Sequence, residues 1–410
     1  MRKSTSSRAV TDMKSRVRCS VVAALAFLSM GCGETERDRG PVCAAAWQPL
    51  ALPASLTGAH RGEAVRAGHQ ALWTGSELVV WGGTTASPQG VVWSGGRNYR
   101  ALPEEGAPPA DGWHVLAWQD GSVVVGERSI AAFDLDSDTW SELPAIPTRG
   151  DMVTAAAVTG ADLVVAWTMR GVDSLGPSYW HYLPDGEWQE LPNAYPREGV
   201  IPLVSIGDEV MTWGLGHPEY PEDNLSLGVR YRPASETWQL VSAEGEPSRR
   251  HSHVLVWTGS EAIVWGGHAD EVGDTLTDGA RYDPERDEWE AMNTEGAPVL
   301  RTESAVAAGR KMVVYGLLGE DQRGGAVYDV DTDSWSDLTM KCGPSADLLG
   351  TSLTWIDSGL VLWGGQTWCD GDGGWALCAD NRERAWFLSA SAAMGETPDD
   401  APDCRCPGPL

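Results

Sequence analysis

The 410-residue chain is nearly without lysine. Beyond residue 32 only Lys311 and Lys341 occur, and there 57 acidic residues face 24 basic ones, a net charge of −33. That balance excludes polyanions such as nucleic acid, and anionic lipid surfaces, as partners. It suits a domain kept in solution outside the cytoplasm. Cysteine is absent between Cys43 and Cys342, and the cysteine spacings lack a zinc pattern. No GxSxG elbow and no zincin motif occurs, which removes the commonest hydrolase signatures. No amphipathic helical pattern is sustained beyond the N-terminal segment, and the apolar stretch Val21–Met30 is too short to span a bilayer.

What the chain has is a repeat. A short apolar run closing on an aromatic and glycine recurs seven times, at 79–83, 123–126, 163–167, 210–214, 262–267, 312–316 and 360–365. The closing residues are Trp81, Val125, Trp167, Trp213, Trp265, Tyr315 and Trp363, spaced by 44, 42, 46, 52, 50 and 48 residues. A period of this size means one supersecondary unit copied along the chain, whose copies bury their apolar faces only by stacking. A second column follows: Tyr99/Leu102, Trp140/Leu143, Trp188/Leu191, Trp238/Val241, Trp289/Met292, Trp335/Leu338 and Trp386. Its approaches, such as ARYDPERDEW at 280–289, are strand–turn–strand chemistry. Each unit therefore supplies about four short antiparallel strands. The predicted fold is all-β, a seven-bladed propeller over residues 44–395, with six or eight blades as the alternative. The segment Trp47–Leu50 reads as an outer strand lacking its three partners. It predicts ring closure by an N-terminal strand.

The order His251-Ser252, a strand ending in Gly266-Gly267, then Tyr282-Asp283-Pro284, then Trp289, resembles the kelch repeat. The resemblance covers roughly residues 60–390 in diverged form, since the double glycine is complete only at 82–83, 266–267 and 364–365. Kelch-like propellers include copper oxidases resembling galactose oxidase. Here the cysteines cluster at the closure and tyrosine is sparse, so no cofactor is expected.

Residues 1–31 read as a signal peptide: basic Lys14, Arg16 and Arg18 precede the apolar stretch. It ends in Leu28-Ser29-Met30-Gly31-Cys32, which resembles a lipobox with Cys32 as the lipidated residue. Ordinary signal cleavage is the alternative, and Met13 is an alternative start. Residues 32–43 form a polar tether, and 396–410 a tail containing cysteine and proline. Six cysteines remain, Cys43, Cys342, Cys369, Cys378, Cys404 and Cys406, all where the ring must close. They are expected to form disulfides that fasten it, with Cys369–Cys378 the first candidate of fifteen possible pairings.

The candidate site is a set of arginines in the loops entering the first strands: Arg66, Arg149, Arg197, Arg250 and Arg301, with Asp111 and Asp347 in two blades. Antiparallel alternation brings these loops to one face, where the arginines would form a basic funnel for a carboxylate. Local ion pairing with the abundant acids is the competing reading. Alternating aspartates at 134, 136 and 138 and at 329, 331 and 333 lack the glycine and glutamate of a calcium loop and read as turns. Cys369–Gly374 is the better ion loop. His251 and His253, alternating on one strand, have no visible third ligand, so no metal site is assigned.

These readings converge on an exported, lipid-anchored, monomeric bacterial protein of the cell envelope, periplasmic or on the outer membrane. It would present propeller loops to a protein or an acidic carbohydrate, with catalysis the less favoured reading. One alternative is a sugar-acting enzyme resembling the kelch-like sialic-acid mutarotases, with Glu198 or Glu303 as base. The other is a purely structural envelope protein.

Overall fold

The seven apolar runs become the second strands of seven four-stranded antiparallel sheets, the blades of a propeller. The computed structural model describes residues 43–52, 69–83, 89–109, 115–119, 121–126, 129–147, 152–168, 178–192, 202–214, 228–269, 275–318, 322–344, 350–365, 367–371, 374–378, 385–396 and 406. All belong to the unit Gly40–Leu410. The predicted signal peptide, Cys32, the tether and most of the tail lie outside the described residues.

Each second strand is mostly apolar because both of its faces are covered. Leu78–Trp81 shows the logic, with every residue fully buried. Leu78 and Val80 pack toward blade 7, while Val79 and Trp81 pack toward blade 2, as a period of two demands. Among the described residues seven hydrophobic clusters fill the seven wedges between neighbouring blades. The inner strands touch their neighbours all the way round, including Gln70–Trp73 of blade 1 against Ser352–Ile356 of blade 7. The core is thus a ring of wedges and not a single nucleus, which is why no copy of the repeat is stable alone.

The tryptophans hold the wedges. Each outer-strand tryptophan rests on a third-strand aromatic of its own blade, as in Phe133–Trp140, Tyr282–Trp289 and Tyr328–Trp335 at 4.9–5.1 Å. In four blades the indole N–H then donates to a carbonyl of the preceding blade: Trp140 to Pro103, Trp188 to Pro144, Trp289 to Ser242 and Trp335 to Asn293, at 2.7–2.9 Å. The buried ring and its satisfied polar end fit the amphipathic indole. In three blades the third strand opens on glycine opposite the second-strand tryptophan, Gly90 facing Trp81, Gly228 facing Trp213 and Gly279 facing Trp265. A Cβ on Gly90 would lie 2.4 Å from Trp81 Cε3.

Closure occurs as the Trp47–Leu50 segment predicts. Gln48–Pro49 pairs with Ala385–Ser389 as the outer strand of blade 7, and Leu50 N donates to Ala385 O. Pro49 is tolerated because an outer strand needs no further donor. One expectation is corrected. Trp386 lies in the third strand of blade 7, opposite Leu362 and Pro49. Trp47 takes the outer-column place instead. Two further elements appear: a hairpin of Thr367–Gly371 and Gly374–Cys378, and a helical turn, Ala390–Ala393. Among the described residues no helix is long and apolar enough to cross a membrane.

Cys342 and Cys406 are joined by a disulfide, their Cα atoms 5.5 Å apart, and Cys43 is also disulfide-bonded. Cys369 and Cys378 sit on facing strands of the hairpin, where Cys369 opposes Ala376 and Cys378 opposes Thr367. The side chains of this pair, and Cys404, lie outside the described residues.

Candidate functional site

Hairpin geometry gives the propeller two unlike faces. The turns joining strands one to two and three to four emerge on one face. The loops joining two to three, and blade to blade, emerge on the other. The expected arginine funnel would belong to the second face; Arg66, Arg149, Arg197, Asp111, Asp347 and Glu198 lie outside the described residues. Arg301 is exposed on this face.

Arg250 is a correction. It is fully buried, and its guanidinium meets Asp278 in a fork, Nη1 to Oδ1 at 3.1 Å and Nη2 to Oδ2 at 3.2 Å. Nε donates to Ser248 O, Nη1 also to the carbonyls of Gly266 and Asp278, and Nη2 also to Ser248 Oγ. The planar fork is saturated by its own blade, so Arg250 is a structural staple and not a ligand-binding residue. Glu303, the candidate base, is held by Arg323 through Nη2 at 2.7 Å and Nε at 3.2 Å.

The histidines separate. Ser252 adopts φ +54°, which breaks the alternation that would put His251 and His253 on one side. His251 pairs with His268 through two backbone bonds of 2.9 Å. His253 Nε2 donates to the carbonyl of Trp213 in blade 4 at 3.0 Å. Burial pushes its imidazole down to about 4. The aspartate ladders are turns: Asp134 Oδ1 accepts from the backbones of Asp136 and Ser137, and Asp329 Oδ1 from Asp331 and Thr332. Among the described residues no group of three ligating side chains is placed to hold a metal.

The first face carries the concave site. The residue just before a second strand, or the first within it, is acidic in four blades: Glu77, Asp162, Glu209 and Glu261. A cationic or imidazole side chain at one register position of the third strand meets three of them. His181 Nε2 is 2.8 Å from Asp162, Arg230 Nη1 is 3.3 Å from Glu209, and Arg281 Nη1 is 3.6 Å from Glu261. The arginines also reach across to the next blade. Arg230 donates to Pro284 O at 2.8 Å and lies 5.6 Å over the Tyr282 ring. Arg281 donates to Val330 O at 3.1 Å. Burial and a hydrogen bond to Asp287 hold the Tyr282 phenol above its ordinary range. The signal for these staples was present: Arg230-Tyr231 and Arg281-Tyr282 each place a charge in the middle of a strand between apolar neighbours, and a buried charge demands a partner.

Between blades 4 and 5 this arrangement opens into a cleft of about 850 Å³. Glu209, Arg230 and Glu261 lie deep in it, Trp257 is at its inner end, and the Asp283–Arg286 turn and Arg310 form its rim. Arg232 also pairs with Glu209. Arg310 pairs with Asp331 at 2.6 Å and Ser260. Such a cleft has fixed walls and charged lips, the form of a recognition site.

Residues 193–365 match the family described as the KLHDC2/KLHL20/DRC7 Kelch-repeats domain. The chain is similar to kelch repeats over this region, which holds blades 4 to 6, two strands of blade 7 and the whole cleft. No curated protein matches the chain.

Proposed function

We propose that the protein is an exported, lipid-anchored binding protein that offers the turn face of a rigid kelch-like propeller to a protein partner. The observation that carries this reading is the cleft. Its walls come from the turns of three blades and are fixed by buried arginines that bond across blade boundaries. Propellers of this kind serve as interaction scaffolds. The acidic-carbohydrate reading has lost Arg250. The N-terminal features supply the anchor, with Cys32 as the lipidated residue of a bacterial envelope protein. Gly33, where an Asp would retain the protein at the inner membrane, favours the outer one. The strong net charge favours a monomer.

Two measurements test it. A photo-crosslinking residue at Ser260, on the cleft lip, should give a discrete protein adduct in cells. The same residue at Ser137, on the same face in blade 2, should not. No adduct, or equal adducts, removes the binding reading. Cys32→Ser should release the protein from the membrane fraction; an unchanged membrane fraction removes the anchor.

A further inference from the structure

Four arginines line the cleft, yet its unspent charge is negative. Each arginine already faces a carboxylate: Arg230 and Arg232 share Glu209, Arg286 meets Asp283, and Arg310 meets Asp331 and Glu261. The exposed lining carboxylates Asp208 and Glu285 have no such partner among the described residues. Hydrogen bonding runs the same way. Glu209 is 4% exposed, and its Oε2 is buried without accepting a hydrogen bond, as is Oε2 of Glu261. Their guanidinium neighbours stand at 3.3–3.8 Å without hydrogen-bond alignment. Among the buried lining atoms a single donor, Nε of Arg230, is unmatched. The two carboxylate oxygens are closed to solvent and hold the guanidinium groups in place, so the acceptors left for a ligand's donors are the exposed carboxylates of Asp208 and Glu285.

We infer that the cleft takes a basic segment of the protein partner, an arginine or lysine side chain received by Asp208 and Glu285 with Trp257 at its inner end. Guanidinium suits the site best, because its five donors can meet several carboxylates at once. The half-buried indole adds a face on which a cation rests favourably. The field of a chain whose net charge beyond residue 32 is −33 draws such a segment in and turns anionic ones away. This inference rests on the binding reading above.

The test is calorimetry of the mature chain with three synthetic peptides of equal length and spacing, carrying arginine, glutamate or glutamine. The arginine peptide alone should bind. Asp208→Asn/Glu285→Gln should weaken it by about tenfold or more. Asp136→Asn/Glu187→Gln removes equal charge elsewhere on the same face and should change it by no more than about twofold, since screening limits distant charges. Thermal melts confirm that both variants are folded. The inference fails if the glutamate peptide binds as well, if no peptide binds, if the cleft variant binds normally, or if the control variant weakens equally. A Ser260 adduct that persists in Asp208→Asn/Glu285→Gln cells would overturn the basic-segment assignment and leave the binding reading standing.

Discussion

The indole Nε1 of Trp47 donates to the carbonyl of Thr339 at 2.7 Å, across 292 residues of sequence. This is the bond that other outer-strand tryptophans make to the preceding blade, here made by the chain's beginning to its end. Trp47 N also donates to Lys341 O at 2.9 Å, and the ring is fully buried in the wedge of blades 6 and 7. The seventh blade therefore lacks its outer strand until the N-terminal segment docks.

Trp47→Ala should cost about 3–5 kcal/mol, the range for deleting a buried aromatic. Trp47→Phe keeps most of the packing but leaves the Thr339 carbonyl without its donor, so a loss of about 1 kcal/mol is expected. Urea unfolding of the two variants measures both. A wild-type midpoint for Trp47→Ala would show that the strand does not close the ring.

Arg250 and Arg301 should separate sharply. Arg250→Ala strips the bonds from Ser248, Gly266 and Asp278 inside a closed wedge. It should cost about 3 kcal/mol, the low end for breaking a buried pair, because Asp278 can still reach water. Arg250→Lys should not restore it, since a point charge cannot reproduce the fork. Arg301→Ala, at an exposed position, should fall within about 0.5 kcal/mol of wild type. Equal effects would return Arg250 to the surface role that sequence alone gave it.

The fold was legible because its determinants are local and repeated. Strand two reads as an apolar run because wedges bury both of its faces, and the outer tryptophan recurs because the same indole bond recurs. Trp386 was misplaced because the ring closes out of sequence order: the last aromatic of the array is not its last strand. The site was less legible. An arginine in a loop and an arginine locked in a wedge look alike without the third dimension. Arg230 and Arg281, set in strands, were overlooked because a strand charge is normally read as solvent-facing. Their partners, buried Glu209 and half-buried Glu261, lie some 20 residues upstream in sequence.

The Cys342–Cys406 bond ties the loop that receives Trp47 to the C-terminal tail. A peptide map under non-reducing conditions should recover these two cysteines in one linked fragment. Cys406→Ser should cost about 2–5 kcal/mol, as removal of native disulfides does in exported domains. It should also couple to Trp47→Ala, because both act on the same closure. Two additive losses would place the disulfide outside the closing region's cooperative unit.

His253 should make stability pH-dependent. Burial is the main force holding its imidazole near 4, aided by the charges of Arg250 and His251, while its bond to the Trp213 carbonyl opposes the shift. In the unfolded chain the ordinary value is about 6.5. Between those values the unfolded state binds a proton that the folded state refuses, so stability falls as pH drops. The contribution is whole above about 6.5 and lost on approaching 4, a change on the order of 3 kcal/mol. Carboxylates titrate in the same window, so the informative quantity is a difference. His253→Gln can keep a donor for Trp213 O without the titration. The gap between wild type and His253→Gln, read from urea midpoints at pH 7 and pH 4.5, should move in favour of the variant on acidification. A gap that stays constant would mean that His253 takes up its proton without leaving its place against Trp213, and the blade 4–5 wedge would then be more open to water than its packing indicates.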